Sequence, residues 1–130
     1  LQELIFSLGL ENQVSILPFK KNIYNWFKTA DLHIMSSLYE GSPNVLWEAS
    51  YFSIPSIVSS NINVAQEMLE DKESVLVYES GEEKLLAEKI KLLISNKKIN
   101  NSIGKKANES LLELSSESVF DIWLKILNII

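Results

Sequence analysis

Apolar positions recur along the chain in short blocks, and the blocks alternate between a helical and a strand-like period. Leu1, Leu4, Ile5 and Leu8 fall at helical spacing, and Gly9 stands where a helix C-cap favours glycine. Val14-Ser15-Ile16-Leu17 reads as a short strand closed by Pro18. Asn22 is placed to cap a short helix through Trp26, Phe27 and Lys28 that ends near Thr29. Leu32-His33-Ile34-Met35 is a mostly apolar run of strand length, the pattern of a parallel strand buried on both faces. Ser42 then serves as an N-cap and Pro43 as the first helical residue, where its missing N–H costs nothing. Val45, Leu46, Ala49 and Phe52 carry that helix to about Phe52.

The second half continues the alternation. Ile54-Pro55-Ser56-Ile57-Val58 is another buried strand, and Ser59 to Asn63 a polar loop. Val64 to Leu69 is a short helix bearing Glu67, Asp71-Lys72-Glu73 a turn, and Val75-Leu76-Val77-Tyr78 a strand. Glu82 to Ile94 is an amphipathic helix whose apolar stripe is Leu85, Leu86, Ile90 and Leu93, and Asn96 breaks it. Two more helices are expected, over Lys98 to Leu114 and Glu117 to Ile130. The last carries Val119, Phe120, Trp123, Leu124 and Leu127 and is capped by Ser115 or Ser116. Strands alternating with helices predict an α/β domain with a parallel sheet and right-handed crossovers.

Composition narrows the function. A chain of 130 residues suits one domain with one hydrophobic core. Apolar residues at 46% and charged residues at 22% are those of a globular protein. The net charge of −5 argues against nucleic acid and anionic membrane as partners, since both need a basic field. With no cysteine and the single histidine His33, disulfides, thiolate metal sites and histidine clusters are excluded. No apolar run reaches membrane-spanning length and no signal peptide is visible, so a cytoplasmic location is expected. The chain opens inside a helical pattern with neither Met nor cap, which reads as a piece of a longer one.

In open parallel sheets, ligands bind beyond the carboxyl ends of the strands. Three loops leave such ends here: Pro18 to Lys21, Ser36 to Ser42, and Ser59 to Asn63. The second delivers a helix N-terminus, whose amides at Asn44 and Val45 favour an anion such as phosphate. Gly41 lets backbone approach a ligand closely. Glu48 lies one turn beyond Asn44, where a carboxylate can accept hydrogen bonds from a diol. The residues alone thus suggest a phosphorylated ligand with a ribose or sugar hydroxyl pair. Bland readings stand beside this one. His33 is a core or sheet residue. Trp47, Phe52 and Trp123 are core, Trp26 and Phe27 pack a helix, and Lys97-Lys98 and Lys105-Lys106 are solvated faces.

The stretch Ser37-Leu38-Tyr39-Glu40-Gly41-Ser42-Pro43-Asn44-Val45-Leu46-Trp47-Glu48-Ala49 resembles the Glu-x7-Glu signature of family-4 glycosyltransferases, also called glycosyl transferases group 1, which have the GT-B fold. Val14 to Phe19, Ala30 to Ile34, Ile54 to Val58, Glu67 and Leu85 to Leu93 resemble the family's flanking elements in the same order. The resemblance implies a Rossmann-like three-layer domain with a parallel sheet: the C-terminal, donor-binding half of a GT-B fold, lacking its first two strands. It implies a retaining glycosyltransferase that moves a sugar from a UDP- or GDP-linked donor to a glycan or lipid-linked acceptor in cell-envelope polysaccharide synthesis. No metal or cofactor is implied. Glu40 would lie by the donor sugar as the catalytic carboxylate, and Glu48 would bond the ribose. Gly41, Ser42, Pro43 and Asn44 would line sugar and diphosphate, with Phe19 and Lys20 beside the base. A location at the inner face of the membrane is compatible with it.

The chain also departs from the family. The strands that carry the diphosphate-neutralising basic loop are absent, as is the N-terminal acceptor domain, so this piece alone is expected to be inactive. The missing strands fall between Val14–Leu17 and Leu32–Met35, which would split the sheet. The family's Gly-Gly loop is Asn61-Ile62-Asn63 here, and its glycine before the second strand is Ser53. The final helix in GT-B proteins often crosses to the other domain, which would make Ile126, Leu127, Ile129 and Ile130 an interface. A nonenzymatic nucleotide-sugar-binding module and a nucleotide-sugar epimerase are the alternative functions.

Overall fold

The computed structural model describes residues 1–62, 69 and 73–113. In chain order these form α1 (Gln2–Ser7), α2 (Tyr24–Phe27), β1 (His33–Met35), α3 (Asn44–Tyr51), β2 (Ser56–Ser59), β3 (Leu76–Tyr78), α4 (Glu83–Ser95) and α5 (Lys97–Glu113). The three strands form one parallel sheet in the order β1-β2-β3. Val64–Met68 of one expected helix, the expected helix Glu117–Ile130, and the Asp71-Lys72 part of the expected turn lie outside the described residues.

Register explains how two cores form. Met35 pairs with Val58, and Val58 with Val77, so these three share one face of the pleat. They bury against Leu46 of α3, with Ile62, Leu69 and Val75 completing the cluster. Ile57, Leu76 and Tyr78 lie on the opposite face, packed with Leu93 of α4 and Ile103 of α5. Helices therefore cover both faces, giving three layers. β2 is buried along its whole length, as a central parallel strand should be. A third cluster of Phe27, Ala49 and Ile54 joins α2 to α3, with Phe27 and Phe52 stacked at 5.7 Å.

Several local expectations hold. Gly9, at φ +64°, ends α1 in a Schellman motif: its N–H bonds the Phe6 carbonyl and the Leu10 N–H bonds that of Ile5. Asn96 separates α4 from α5, and its Oδ1 accepts the Ile99 N–H at 3.1 Å. Asn22 Oδ1 accepts the Tyr24 N–H at 3.1 Å, but the N-cap of α2 is Ile23 and not Asn22, and the helix already stops at Phe27.

Others are corrected. Val14–Leu17 is no strand; Val14, Ile16 and Leu17 are exposed. A strand exists only where another pairs with it, and among the described residues the sheet begins at β1. β1 is consequently an edge strand, and Ile34, expected in a strand buried on both faces, is 40% exposed. Leu85 is also exposed, leaving the buried Leu93 and the half-buried Leu86 and Ile90 as the core-facing stripe of α4. The first turn of α3 starts one residue late. Pro43 is its N-cap, at φ −80° and ψ 65°, and the Asn44 N–H closes an inverse γ-turn on the Ser42 carbonyl at 2.9 Å.

Candidate functional site

The loop after β1 is built around two local hydrogen bonds. The Ser37 hydroxyl donates to Glu40 Oε1 at 2.9 Å, fixing the half-buried Glu40 carboxylate against the exit of the strand. The Ser42 hydroxyl donates to Asn44 Oδ1 at 3.2 Å, so Ser42 braces the turn and does not cap the helix as expected. Pro43 is fully buried and anchors the turn to the core. Its carbonyl accepts the N–H groups of Leu46 and Trp47. Of the two amides expected to face an anion, that of Asn44 is therefore already engaged.

Gly41 is exposed and lacks positive φ, and a Cβ there would meet only the Tyr39 hydroxyl at 3.9 Å. Nothing inside this fold demands glycine at 41.

Glu48 sits one turn into α3, half-buried. It opens onto a groove of about 680 Å³ between α2 and α3, shared with Tyr24, Lys28, Trp47, Tyr51 and Phe52. Phe19 and Lys20 lie on the segment before α2, with Phe19 92% exposed. They line a separate groove of about 380 Å³ with Leu17, Pro18, Ile23, Trp26 and Phe27. The structure thus gathers Glu40, Gly41, Ser42, Pro43 and Asn44 on one loop. It sets Glu48 and the Phe19-Lys20 pair on two different grooves, both walled by α2. Because Val14–Leu17 forms no strand, the Pro18–Lys21 loop leaves no strand end.

The loops after β2 and β3 close the same end of the sheet. The Ser60 N–H bonds the Tyr78 carbonyl at 2.8 Å, and the Ser80 N–H bonds Ser60 Oγ at 3.1 Å. Sequence reading missed the neighbours of Glu48: Tyr24, Lys28 and Tyr51. Only Tyr51 was legible, from its i,i+3 spacing to Glu48 on the same helix; Tyr24 and Lys28 come beside it through the packing of α2 on α3.

His33 is structural, as expected. Its Nδ1 hydrogen-bonds with Ser56 Oγ at 3.1 Å across the β1–β2 ladder. Burial removes water from the imidazolium and lowers its pKa from 6.5 to about 4.

Comparison with known proteins places these features. Relatives include the α-1,4-N-acetyl-D-galactosaminyltransferase of Campylobacter jejuni that acts on GalNAc-α-(1→4)-GalNAc-α-(1→3)-diNAcBac-PP-undecaprenol. It is 26% identical over 93% of this chain and 33% of its own length. The amylovoran biosynthesis glycosyltransferase AmsD of Erwinia amylovora is 27% identical over 98% of this chain and 36% of its own. The chain thus spans about a third of the length of these relatives. Anabaena Alr3699/HepE in complex with UDP superposes with a TM-score of 0.86 at 23% identity, covering 99% of this chain and 36% of that one. The same protein in complex with UDP-glucose gives 0.79 at 26% identity, over 85% of this chain and 30% of that one. No helix among the described residues is long and apolar enough to cross a membrane. The family profile described as glycosyl transferases group 1 matches residues 1–110. The chain belongs to that family, and its three-layer parallel α/β sheet is part of a GT-B fold.

Proposed function

We propose that this chain is the nucleotide-sugar-binding part of a retaining glycosyltransferase of cell-envelope polysaccharide synthesis. The observation that carries this reading is the arrangement of Glu40 and Glu48. One is held by Ser37 on the loop leaving β1, the other points from the helix that the loop starts. The UDP-glucose complex of HepE, at 26% identity, supports a nucleotide-sugar donor. The activities of the relatives, on an undecaprenol-linked glycan and in amylovoran biosynthesis, support an envelope glycan or lipid-linked acceptor.

In this reading Glu48 accepts hydrogen bonds from the ribose diol, and the Gly41–Asn44 backbone lies along the donor sugar and diphosphate. Glu40 stands beside the sugar, where a carboxylate stabilises positive charge developing at the anomeric carbon. No protein nucleophile attacks; the leaving phosphate takes the acceptor proton. The protein contributes position and electrostatics. Phe19 and Lys20 flank the base. The acceptor site belongs to a second, N-terminal domain, so this piece alone does not turn over.

Titration of ¹⁵N-labelled protein with UDP and with GDP tests the reading. One nucleotide should shift the amides of Gly41 and Glu48, and Glu48→Ala should weaken that binding about tenfold, as loss of hydrogen bonds to a diol predicts. Amides at 41 and 48 that respond to neither nucleotide would remove the donor assignment.

A further inference from the structure

We propose that Ser37 is a positioning residue for Glu40, holding its carboxylate so that the second oxygen is presented to the donor sugar. This deepens the donor-binding reading above and rests on it. Three observations carry it.

The first is how the loop is held. Met35 at the end of β1 is buried and Pro43 before α3 is fully buried, so both ends of the connection are anchored in the core. Between them Leu38 and Tyr39 are 75% and 82% exposed, and Gly41 is exposed too. Among the described residues no backbone hydrogen bond joins any two of residues 36–41. The span from Ser37 to Glu40 is closed instead by one side-chain bond, from the Ser37 hydroxyl to Glu40 Oε1 at 2.9 Å.

The second is how little else holds the carboxylate. Among the described residues no cation pairs with Glu40, and its Oε2 accepts no hydrogen bond. A glutamate left to solvent samples many rotamers, and ordering it costs side-chain entropy. The Ser37 bond selects among those rotamers before a ligand arrives. It uses Oε1 and leaves Oε2 to accept from a sugar hydroxyl.

The third is the contrast between two adjacent serines. Ser37 and Glu40 are both half-buried, and a hydrogen bond partly shielded from water is electrostatically stronger than an exposed one. Ser36 is exposed and makes no hydrogen bond among the described residues. Of the pair, Ser37 alone acts on Glu40. A carboxylate ordered in advance loses less freedom on binding, so the gain falls on the sugar contact and not on the nucleotide.

Calorimetric titration of this chain with UDP-glucose and with UDP gives the ratio of their dissociation constants. GDP-glucose and GDP serve where GDP is the nucleotide that shifts Gly41 and Glu48. Ser37→Ala should raise the ratio about fivefold, as loss of one ordered hydrogen bond predicts, with the constant for UDP within about twofold of the parent. Ser37→Thr keeps a hydroxyl and should restore the ratio, while Ser36→Ala should leave it at the parent value. In a Glu40→Ala background Ser37→Ala should add nothing, because a residue that acts through Glu40 is silent once Glu40 is gone. Equal weakening of UDP and UDP-glucose would reduce Ser37 to a brace of the loop and overturn the proposal. So would an unchanged ratio in Ser37→Ala, or an effect that persists undiminished without Glu40. Glu48→Ala separates this from the donor reading. Should it weaken UDP while Ser37→Ala leaves the ratio unchanged, only the role of Ser37 falls. Should neither nucleotide shift Gly41 and Glu48, the donor reading falls and this inference with it.

Discussion

Gly104 of α5 lies directly against the backbone carbonyl of Ser53. A Cβ at 104 would collide with the Ser53 carbonyl oxygen, sit 2.9 Å from its carbonyl carbon and come within 3.2 Å of the Pro55 nitrogen. All three atoms are backbone, so no rotamer change can relieve the contact. This close approach seats α5 across the end of α3 and brings Asn108, one turn later, onto the last α3 carbonyls.

Gly104→Ala should therefore destabilise the fold. Helix propensity alone would favour alanine by about 1 kcal/mol. Overpacking against immovable backbone costs about 1–3 kcal/mol, and more when nothing can yield. The clash wins, and a thermal melt should show a midpoint lowered by several degrees. A rise in the midpoint would show that α5 moves away freely.

Ser53→Gly should do the opposite. Ser53 stands at φ +56°, the C′ position of a Schellman motif, with its N–H on the Ser50 carbonyl at 2.9 Å and the Ile54 N–H on that of Ala49 at 3.0 Å. A left-handed conformation costs a non-glycine residue about 1–2 kcal/mol, partly offset by the greater freedom of glycine in the unfolded chain. Since the serine side chain is exposed, a net gain of about 0.5–1 kcal/mol is expected by urea denaturation. A loss would mean that the left-handed turn carries no strain.

Asn108→Ala removes both side-chain bonds to the Ser50 and Tyr51 carbonyls. These are among the last carbonyls of α3, which have no partner within the helix. A loss of about 1 kcal/mol is expected, because water replaces the bond at the exposed Tyr51 more easily than at the buried Ser50. Deuterium exchange should quicken at Ser53 and Ile54, the turn that Asn108 braces. Unaltered exchange there would argue that the two bonds add nothing.

The buried His33 makes stability depend on pH with a definite sign. Its folded pKa of about 4 lies below the ordinary 6.5, so between those values the unfolded chain binds the extra proton. The stabilising difference is fully present above pH 6.5 and is lost as pH falls toward 4, at up to about 1.4 kcal/mol per pH unit. His33→Gln should flatten that part of the stability curve. A variant that follows the parent between pH 4 and 6.5 would transfer the effect to the carboxylates.

Features that depend on short-range chemistry were legible in the residues alone. Alternation of period announced a parallel α/β sheet, Gly9 and Asn96 marked helix boundaries, and the Glu40–Glu48 stretch marked a loop at a strand's carboxyl end. Each of these follows from the covalent character of a few adjacent residues. The tertiary structure decided the rest. Val14–Leu17 has the composition of a strand yet forms none, because pairing needs a neighbour that no local pattern supplies. Ile34 is exposed because β1 is an edge, which is a property of the sheet and not of the run. Ser53 is held in a left-handed turn by the end of α3, with α5 packed against its carbonyl. Glu48 shares its groove with Tyr24, Lys28 and Tyr51 because α2 packs on α3 through Phe27 and Phe52. Spacing alone gave no sign of that contact, since it joins residues more than twenty positions apart.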